Sequence, residues 1–323
     1  MKKFEINEEY EGYKVSEYIK KVEFYSSRSF RKIDIYINSK KASIKDKLKK
    51  DDILEIEEHV KGTNIKPIKM DLDIIYENED ILLINKPTNL ITHPTAKKVD
   101  KTLANGIVNY YLEKYNEIKF PRFYNRLDMN TTGIIVATKT SFGQSFLQSY
   151  GEVEKYYMAI VIGIIEEDII EINKNIYRPT EAIKREVSET EGQTAKTKVT
   201  VLKRNYKENI TLIKVQLFTG RTHQIRVHMS SINHPILGDE LYGGKDYREK
   251  RQLLHSYKIV FKDPFSKEMI KKKIELPEDM KKLINMWKKV WIKIWLFSNF
   301  NVKFTLGRKK NLGGNFYGSK NSN

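Results

Sequence analysis

Hydrophobic spacing divides the chain into helical and extended stretches. Apolar residues at helical intervals predict helices over Val15–Tyr25, Thr102–Glu113 and Ser141–Tyr150. Alternating or unbroken apolar runs predict strands, with short polar strands between Ile170 and Thr200. The clearest strands are Ile53–Glu57, the pair within Ile74–Pro87, Ile134–Ala137, Glu154–Gly163 and Ile210–Leu217.

The first 60 residues carry a pattern of their own. Ser26–Ser29 offers an N-cap for a second short helix that runs through Ile33, and Ile35–Ala42 predicts a strand, a turn and the start of another strand. Residues 61–70 are polar and predict a linker. We expect a small module at residues 1–60, a main domain at 71–280 and an extension at 281–323.

Positive charge is concentrated in two places. The chain has 323 residues and a formal net charge of +17, and ten of its basic residues fall between Lys281 and Asn323, where there is no acidic residue. Arg28–Lys50 holds nine basic residues against two acidic ones. This distribution indicates a polyanionic partner.

Several kinds of site and location are disfavoured by what the sequence lacks. It has no cysteine, so disulfides, thiolate metal sites and thiol nucleophiles are excluded. Acidic residues follow Met1–Lys3 where a secretory signal would be apolar, and no window of about 18 residues is apolar throughout. We expect no membrane span, a cytoplasmic location and a monomer.

The stretch Asn125–Lys139 has the strongest chemical character. Arg126 and Asp128 precede a Thr-Thr-Gly turn that leads directly into the apolar run Ile134–Ala137. A buried strand fixes the backbone, so Asp128 would stand on a rigid support at the rim of a cleft, and the glycine would permit a turn or a close approach. A surface Arg126–Asp128 ion pair beside a tight turn explains the stretch equally well.

A second dense motif lies at Thr219–Met229. A glycine turn is followed by Arg221, His223, Arg226 and His228, which we expect to open a helix whose N-terminus favours anions. The two histidines are five residues apart with no Glu between them, unlike a helical zinc motif, so we expect no metal. A guanidinium offers a planar fork of donors that suits a carboxylate or a phosphate.

The strand predicted at Glu154–Gly163 would place Lys155, Tyr157 and Ala159 on one face. Because tyrosine is common in strands, a core or cross-strand aromatic is the ordinary explanation of Tyr157 taken alone. His93, in the loop after Asn85-Lys-Pro, has an equally ordinary explanation as a loop histidine.

Together these stretches resemble the RNA pseudouridine synthases. Asn125-Arg-Leu-Asp-x-x-Thr-Thr-Gly133 is similar to the family signature His-Arg-Leu-Asp-x-x-Thr-Ser-Gly, with Asn125 and Thr132 as departures. Further motifs follow the family order, and the resemblance covers residues 71–278. These motifs are Asn85-Lys-Pro with His93-Pro, Lys155-x-Tyr-x-Ala159, and Gly220-Arg-x-His-Gln-Ile-Arg-x-His228.

The resemblance implies an α+β fold with a mixed, mostly antiparallel central sheet and flanking helices around a catalytic cleft. It implies that Asp128 is catalytic, that Tyr157 stacks on the target base and can transfer a proton, and that Arg226 pairs with Asp128. No cofactor is implied, because the glycosidic bond is broken and remade on the same ring. Arg126 is expected to fill space near the extruded base or to grip its phosphate, and Lys155 is expected to be the basic neighbour of Tyr157 at the RNA. Arg221 and His223 are expected to be structural or to face RNA.

Residues 1–60 resemble, more loosely, the S4 RNA-binding module, with Asn38-Ser39 in place of the usual Asn-Gly hairpin turn. In that module Arg28, Arg31 and Lys32 would hold RNA phosphates. A small α/β module with a solvated lysine face is the alternative.

We therefore predict site-specific isomerisation of uridine to pseudouridine in RNA. Large-subunit ribosomal RNA is the usual target of relatives with an S4-like module, and transfer RNA is the target of others. Asp128 must be ionised to act, and burial opposes its charge, so a permanent cation such as Arg226 is expected beside it. The alternatives are a non-catalytic RNA-binding protein of the ribosome or its assembly and, disfavoured by the lack of clustered carboxylates, a metal-dependent nuclease.

The extension contains Trp287, Trp291 and Trp295 among lysines, a spacing that fits a basic amphipathic helix on RNA or on a membrane surface. The favoured expectation is an extension that packs loosely or is disordered from Asn299 onward, where Gly, Asn, Ser and Lys dominate.

Overall fold

The computed structural model describes residues 1–25, 27, 29–59, 62–94, 101–179, 183–244 and 250–287. One compact unit is formed by Met1–Pro277. A second unit begins at Glu278, and its residues 278–287 are helical. The predictions for Ser26, Arg28 and residues 288–323 lie outside the described residues. Across those ranges, no helix is both long and apolar enough to cross a membrane.

The N-terminal residues form a four-stranded antiparallel sheet in the order β1-β4-β2-β3. Its core includes the buried side of helix α1, Val15–Lys21. The predicted first helix ends early, at Lys21, and the predicted second helix is a single 3-10 turn, Ser29–Lys32, because Ile33 already pairs with Glu58 in the sheet. The strands are β1 (Lys2–Glu5), β2 (Ile33–Ile37), β3 (Lys40–Ala42) and β4 (Ile53–Glu58).

The main sheet has ten strands, of which eight lie in the order β10-β13-β14-β9-β15-β8-β6-β5, with β7 on β8 and β16 on β15. Strands β8 and β15 run parallel, whereas the other pairs are antiparallel, so the predicted mixed, mostly antiparallel sheet is confirmed. The strands are β5 (Ile74–Glu77), β6 (Ile81–Lys86), β7 (Arg122–Phe123), β8 (Thr132–Thr138), β9 (Glu154–Ile162), β10 (Ile169–Asn173), the separate pair β11 (Asn175–Tyr177) and β12 (Glu186–Ser188), β13 (Lys196–Asn205), β14 (Ile210–Leu217), β15 (Leu254–Lys262) and β16 (Met269–Lys273). β13, at ten residues, is longer than the short strands expected in that region.

Among the described residues, three helices of eight or more residues accompany this sheet: α2 (Leu103–Tyr115), α3 (Ser141–Ser149) and α4 (Gln224–Ser231). α2 and α3 agree with the predicted positions. α4 begins three residues later than Arg221, because the Gln224 Oε1 atom accepts the Arg221 N–H at 2.9 Å and His223 turns into the left-handed region at φ 58°. Apolar side chains of α2 and α4 share one core with the buried face of β9 and β14.

The N-terminal sheet packs against α3 through contacts that we call the junction: Lys2, Glu58, Asp80 and Phe142. Phe142 belongs to the core of the N-terminal sheet. The Lys2 Nζ atom lies 2.6 Å from Asp80 Oδ2 and 3.9 Å from the centroid of the Phe142 ring. The Glu58 carboxylate accepts the backbone N–H of Ser141 at 3.0 Å and that of Phe142 at 3.2 Å. The predicted boundaries at residues 60, 70 and 280 stay predictions.

Candidate active site

Asp128 lies in the short loop between β7 and β8. The Thr92 hydroxyl donates to the carbonyl of Leu127 at 2.9 Å, and the Lys86 ammonium donates to the carbonyl of Met129 at 3.0 Å. The backbone on both sides of Asp128 is therefore held by side chains from other parts of the main sheet. The rigid support expected from the sequence is present, and much of it comes from outside the motif.

Lys86 is fully buried at the end of β6 and satisfies its three ammonium hydrogens on carbonyl oxygens. The acceptors are Pro87 at 2.8 Å, Leu90 at 2.9 Å and Met129 at 3.0 Å. Burial lowers the pKa of Lys86 to about 7, against the attraction of Asp128. Sequence reasoning quoted its Asn-Lys-Pro motif but gave Lys86 no role, although a lysine ending a strongly apolar strand was a usable signal.

Gly133 allows β8 to approach β15 closely. Its φ is 113°, and a Cβ atom placed there would lie 2.2 Å from the Ser256 carbonyl oxygen. Gly133 and Ser256 are partners in the parallel pairing of the two strands. A larger residue would push the strands apart directly beside the Asp128 loop, so the predicted close approach is confirmed.

The Asp128 carboxylate contacts an arginine brought from α4. Arg226 Nη1 donates to Asp128 Oδ2 at 2.8 Å, and the side chains are 9% and 28% exposed, respectively. Arg126 is exposed on the wall of the same cleft. The carboxylate thus bonds to Arg226, and the alternative of a local Arg126–Asp128 surface pair is wrong.

Arg226 has a second acidic partner, Asp239. Its Nε and Nη2 atoms donate to the two oxygens of Asp239 at 2.6 and 2.8 Å, and the Asp239 side chain is 1% exposed. Burial opposes the charge of the guanidinium, but the hydrogen bonds and charges of Asp239 and Asp128 raise the pKa of Arg226. Sequence reasoning missed Asp239, and nothing in a single sequence separates it from neighbouring Glu240.

His223 and Tyr242 complete the surroundings of Asp128. The His223 Nε2 atom is 3.8 Å from Asp128 Oδ1, and its Nδ1 atom is 3.0 Å from the Tyr242 hydroxyl. That hydroxyl accepts the Arg185 N–H at 2.8 Å, so its own hydrogen is free to go to Nδ1, which leaves the Nε2 hydrogen facing Asp128. Burial lowers the pKa of His223, which favours this neutral form.

Asp128 opens onto a cleft of about 720 Å³. Tyr157 and Lys155 lie on one face of β9, opposite Val215 and Leu217 of β14, as the alternation predicted. Burial raises the pKa of Tyr157 to about 12, and it lowers the pKa of Lys155. The predicted residues that line this cleft are Arg126, Asp128, Lys155, Tyr157, Arg221, His223 and Arg226.

The remaining candidates lie elsewhere or have other partners. Arg31 and Lys32 are exposed on the 3-10 turn of the N-terminal sheet. His228 is buried and bonds to Thr197 Oγ1 at 2.8 Å and to the Lys174 carbonyl at 3.0 Å, so its contacts are structural. His93 lines the cleft, where burial lowers its pKa. Within the described part of the chain, no three His, Cys, Asp or Glu residues cluster as metal ligands would.

Residues 80–231 match the family model described as RNA pseudouridylate synthase. An RNA pseudouridine synthase of Aquifex aeolicus is 36% identical over 232 residues, which are 68% of this chain and 73% of the relative. Ribosomal large subunit pseudouridine synthase D of Haemophilus ducreyi is 34% identical over 251 residues, or 72% and 75% of the two chains.

Human RNA Pseudouridylate Synthase Domain Containing 4 shares the fold. Its structure aligns with a TM-score of 0.51 at 21% identity, covering 64% of this chain and 88% of that one. With the sequence matches over most of the length of its relatives, this chain belongs to the family of RNA pseudouridylate synthases, enzymes that isomerise uridine to pseudouridine in RNA.

Proposed function

We propose that this chain isomerises uridine in large-subunit ribosomal RNA. Support for this class of RNA comes from relatives in Haemophilus ducreyi and Yersinia pestis, each named ribosomal large subunit pseudouridine synthase D, at 34% and 35% identity. Transfer RNA is the second class that the test must include.

The observation that carries the proposal is the 2.8 Å contact of Arg226 with Asp128 at the wall of the cleft. The volume of about 720 Å³ falls within the roughly 300–1,000 Å³ of small-molecule sites, so it accommodates a nucleotide. A uridine must leave its stack to enter, at a cost of a few kcal/mol. Arg226 supplies a permanent positive partner for the Asp128 carboxylate at the point where the uridine would arrive.

The reaction exchanges one glycosidic bond for another. The bond from ribose C1′ to uracil N1 breaks, the bond from C1′ to C5 forms, the hydrogen on C5 leaves and N1 gains one. Asp128 starts this sequence by attack on the sugar or base or by taking a proton from the sugar. Tyr157 stacks on the uracil, and because its pKa is about 12 its hydroxyl enters as a hydrogen donor at neutral pH.

The rest of the RNA is bound through phosphate contacts. Arg126, Lys155, Arg221 and His223 line the cleft where the strand around the target uridine passes. In the N-terminal module, taken as S4-like, Arg28, Arg31 and Lys32 add affinity that is independent of sequence. The proposal also includes action as a cytoplasmic monomer.

The test is a map of pseudouridine across total RNA from cells with and without this gene, by uridine-specific chemical labelling and sequencing. We expect one or more sites in large-subunit ribosomal RNA to disappear and to return with the wild-type gene but not with Asp128→Asn. Loss confined to transfer RNA would change the proposed substrate. An unchanged map would overturn the proposal in favour of a non-catalytic RNA-binding protein.

A further inference from the structure

Arg226 is held from two sides that differ in exposure. Asp239 takes two of its donors, at 2.6 and 2.8 Å, and is 1% exposed, whereas Asp128 takes one donor at 2.8 Å and is 28% exposed. We propose that Asp239 is a positioning residue, a permanent counterion that keeps Arg226 paired and aimed while Asp128 gives up its own charge during the reaction. This inference rests on the proposed function.

The loop that carries Asp239 is closed upon itself. The Gly238 N–H donates to the Gly244 carbonyl at 2.6 Å, and the Gly244 N–H donates to the Asp239 carbonyl at 2.8 Å. A Cβ atom on Gly244 would lie 1.8 Å from the Ile236 carbonyl oxygen, so this turn requires glycine. Asp239 therefore presents its carboxylate from a rigid backbone.

Tyr242, which follows Asp239 in the same loop, also contacts the arginine. The Tyr242 ring lies with its centroid 5.0 Å from the Arg226 Cζ atom, an arrangement that favours a cation. Nε and Nη2 donate to Asp239, and Nη1 donates to Asp128. The two-point contact thus fixes the direction in which the arginine meets the cleft.

Asp128 loses its negative charge in each route open to it. Attack on C1′ forms an ester as the bonding pair of C1′–N1 passes to the uracil. Attack on C6 forms an O–C6 bond as the C5=C6 pair passes into the ring. Removal of the C2′ proton forms a carboxylic acid as the C1′–N1 pair passes to the uracil. In every case the charge moves from Asp128 to the uracil.

A buried guanidinium left without a partner is strongly unfavourable, because the energy of its lost hydration is not recovered. If Asp128 were its sole partner, Arg226 would face that state at each turnover. Asp239 is not consumed in any route, so it keeps the arginine compensated from the resting state to product. The resulting expectation is a loss of rate, and much less of RNA affinity, when the charge of Asp239 is removed.

The test compares Asp239→Asn, Arg226→Gln and the double variant with wild type, measuring kcat and KM for pseudouridine formation on a transcript carrying the target site. We expect Asp239→Asn to lower kcat roughly 100-fold while KM changes less than about 3-fold. The matched control is Asp263→Asn, since Asp263 is 3% exposed and accepts backbone N–H groups at the turn between β15 and β16. It should lower the melting temperature and leave kcat near wild type.

The double variant separates positioning from general damage. Because Asp239 acts through Arg226, adding Asp239→Asn to Arg226→Gln should change kcat less than about 3-fold. Fully multiplicative losses, or wild-type kcat in Asp239→Asn, would overturn the inference. If Asp239→Asn alone does not fold, the double variant has no unpaired buried charge and supplies the same comparison with Arg226→Gln.

The two proposals fail differently. Wild-type kcat in Asp239→Asn beside an inactive Asp128→Asn removes only the role of Asp239. Pseudouridine formation by Asp128→Asn removes the assigned role of Asp128, and an inactive wild type on every RNA tested removes the proposed function.

Discussion

The cleft and the junction each place a cation against carboxylates, but they leave different atoms free. At the junction, Lys2 and Asp80 are 9% and 1% exposed, and Asp80 also accepts from the Thr140 hydroxyl. In the cleft, Asp128 remains 28% exposed and opens onto a cavity of about 720 Å³. Both networks join distant parts of the chain, yet only the cleft offers a carboxylate oxygen with room beside it.

This difference teaches that a buried ionic contact is not by itself a mark of function. The junction residues do not line the cleft, so removing their charges should change stability and leave the reaction intact. The cleft network holds Asp128 at a surface that a nucleotide can reach, so removing that carboxylate should change the rate and leave folding largely intact. Variants at matched positions test this separation.

The largest effect is expected for Asp128→Asn. The amide keeps the size of the side chain but cannot take up a proton or form an ester, so kcat should fall roughly 1,000-fold or more. RNA affinity should stay within a few-fold of wild type, measured by filter binding, because most of it comes from phosphate contacts. Because pseudouridine has the same mass as uridine, turnover is measured by uridine-specific chemical labelling. A loss of RNA affinity equal to the loss of rate would assign Asp128 to RNA binding and not to catalysis.

Asp80→Asn should have the next largest effect, and on stability only. Removing one partner of a buried pair leaves Lys2 uncompensated and costs roughly 3–5 kcal/mol. For a protein of this size each kcal/mol is worth roughly 2–4 °C, so the melting temperature should fall by about 10 °C. Calorimetry should show the lower melting temperature of this variant, and its kcat at 25 °C should equal that of wild type.

Lys2→Met is the companion variant at the junction. Combined with Asp80→Asn it removes both charges, so the pair should lose less stability than the sum of the singles. A large drop in kcat for either variant at a temperature where it is folded would show that the junction and the cleft are not independent.

Tyr157→Phe should reduce kcat less than Asp128→Asn does. The Tyr157 side chain is 5% exposed, and its hydroxyl interacts with the side chains of Ser256 and Asn125. Phe keeps the stacking surface and removes the proton, so we expect kcat to fall roughly 100-fold, with KM little changed. Wild-type kcat in the Phe variant would leave stacking as the contribution of Tyr157.

The sequence predicted elements that depend on local patterns. β14 was placed at Ile210–Leu217, as observed, because its apolar run has turns on both sides. Helix α2 was expected at Thr102, its observed N-cap. The first helix was predicted to reach Tyr25 because helix-like apolar spacing continues to that residue. Tyr25 is buried, but the helix ends at Lys21, so the apolar pattern indicated burial correctly and the backbone conformation incorrectly.

The site was predictable only in part. Asp128, Tyr157 and Arg226 stand in dense motifs, so resemblance brought them together before any coordinates. Lys86 and Asp239 act through contacts over 43 and 13 residues, and such pairings are fixed by the fold and not by neighbouring sequence. The junction was missed for the same reason, since Lys2 and Asp80 are 78 residues apart.

His228→Gln should have the smallest effect of these variants. It tests how much of the loss of folding stability at acid pH comes from His228. His228 is buried on α4, where its Nε2 donates to the Lys174 carbonyl and its Nδ1 accepts from Thr197, so the neutral ring is satisfied. Burial lowers the pKa of His228 below the 6.5 of an unfolded chain. The unfolded state therefore binds the proton first, and stability is lost as pH falls below 6.5.

Glutamine can make both hydrogen bonds of His228 without titrating, so the fall in melting temperature between pH 7.5 and about pH 5.5 should shrink by a few degrees. Part of it should survive in His228→Gln, because burial also lowers the pKa of His93 and His223 in the cleft. An acid response identical to wild type would mean that protonated His228 is accommodated by Thr197, whose hydroxyl hydrogen would turn away from the ring so that its oxygen accepts from His228 Nδ1 as well as from Gln224.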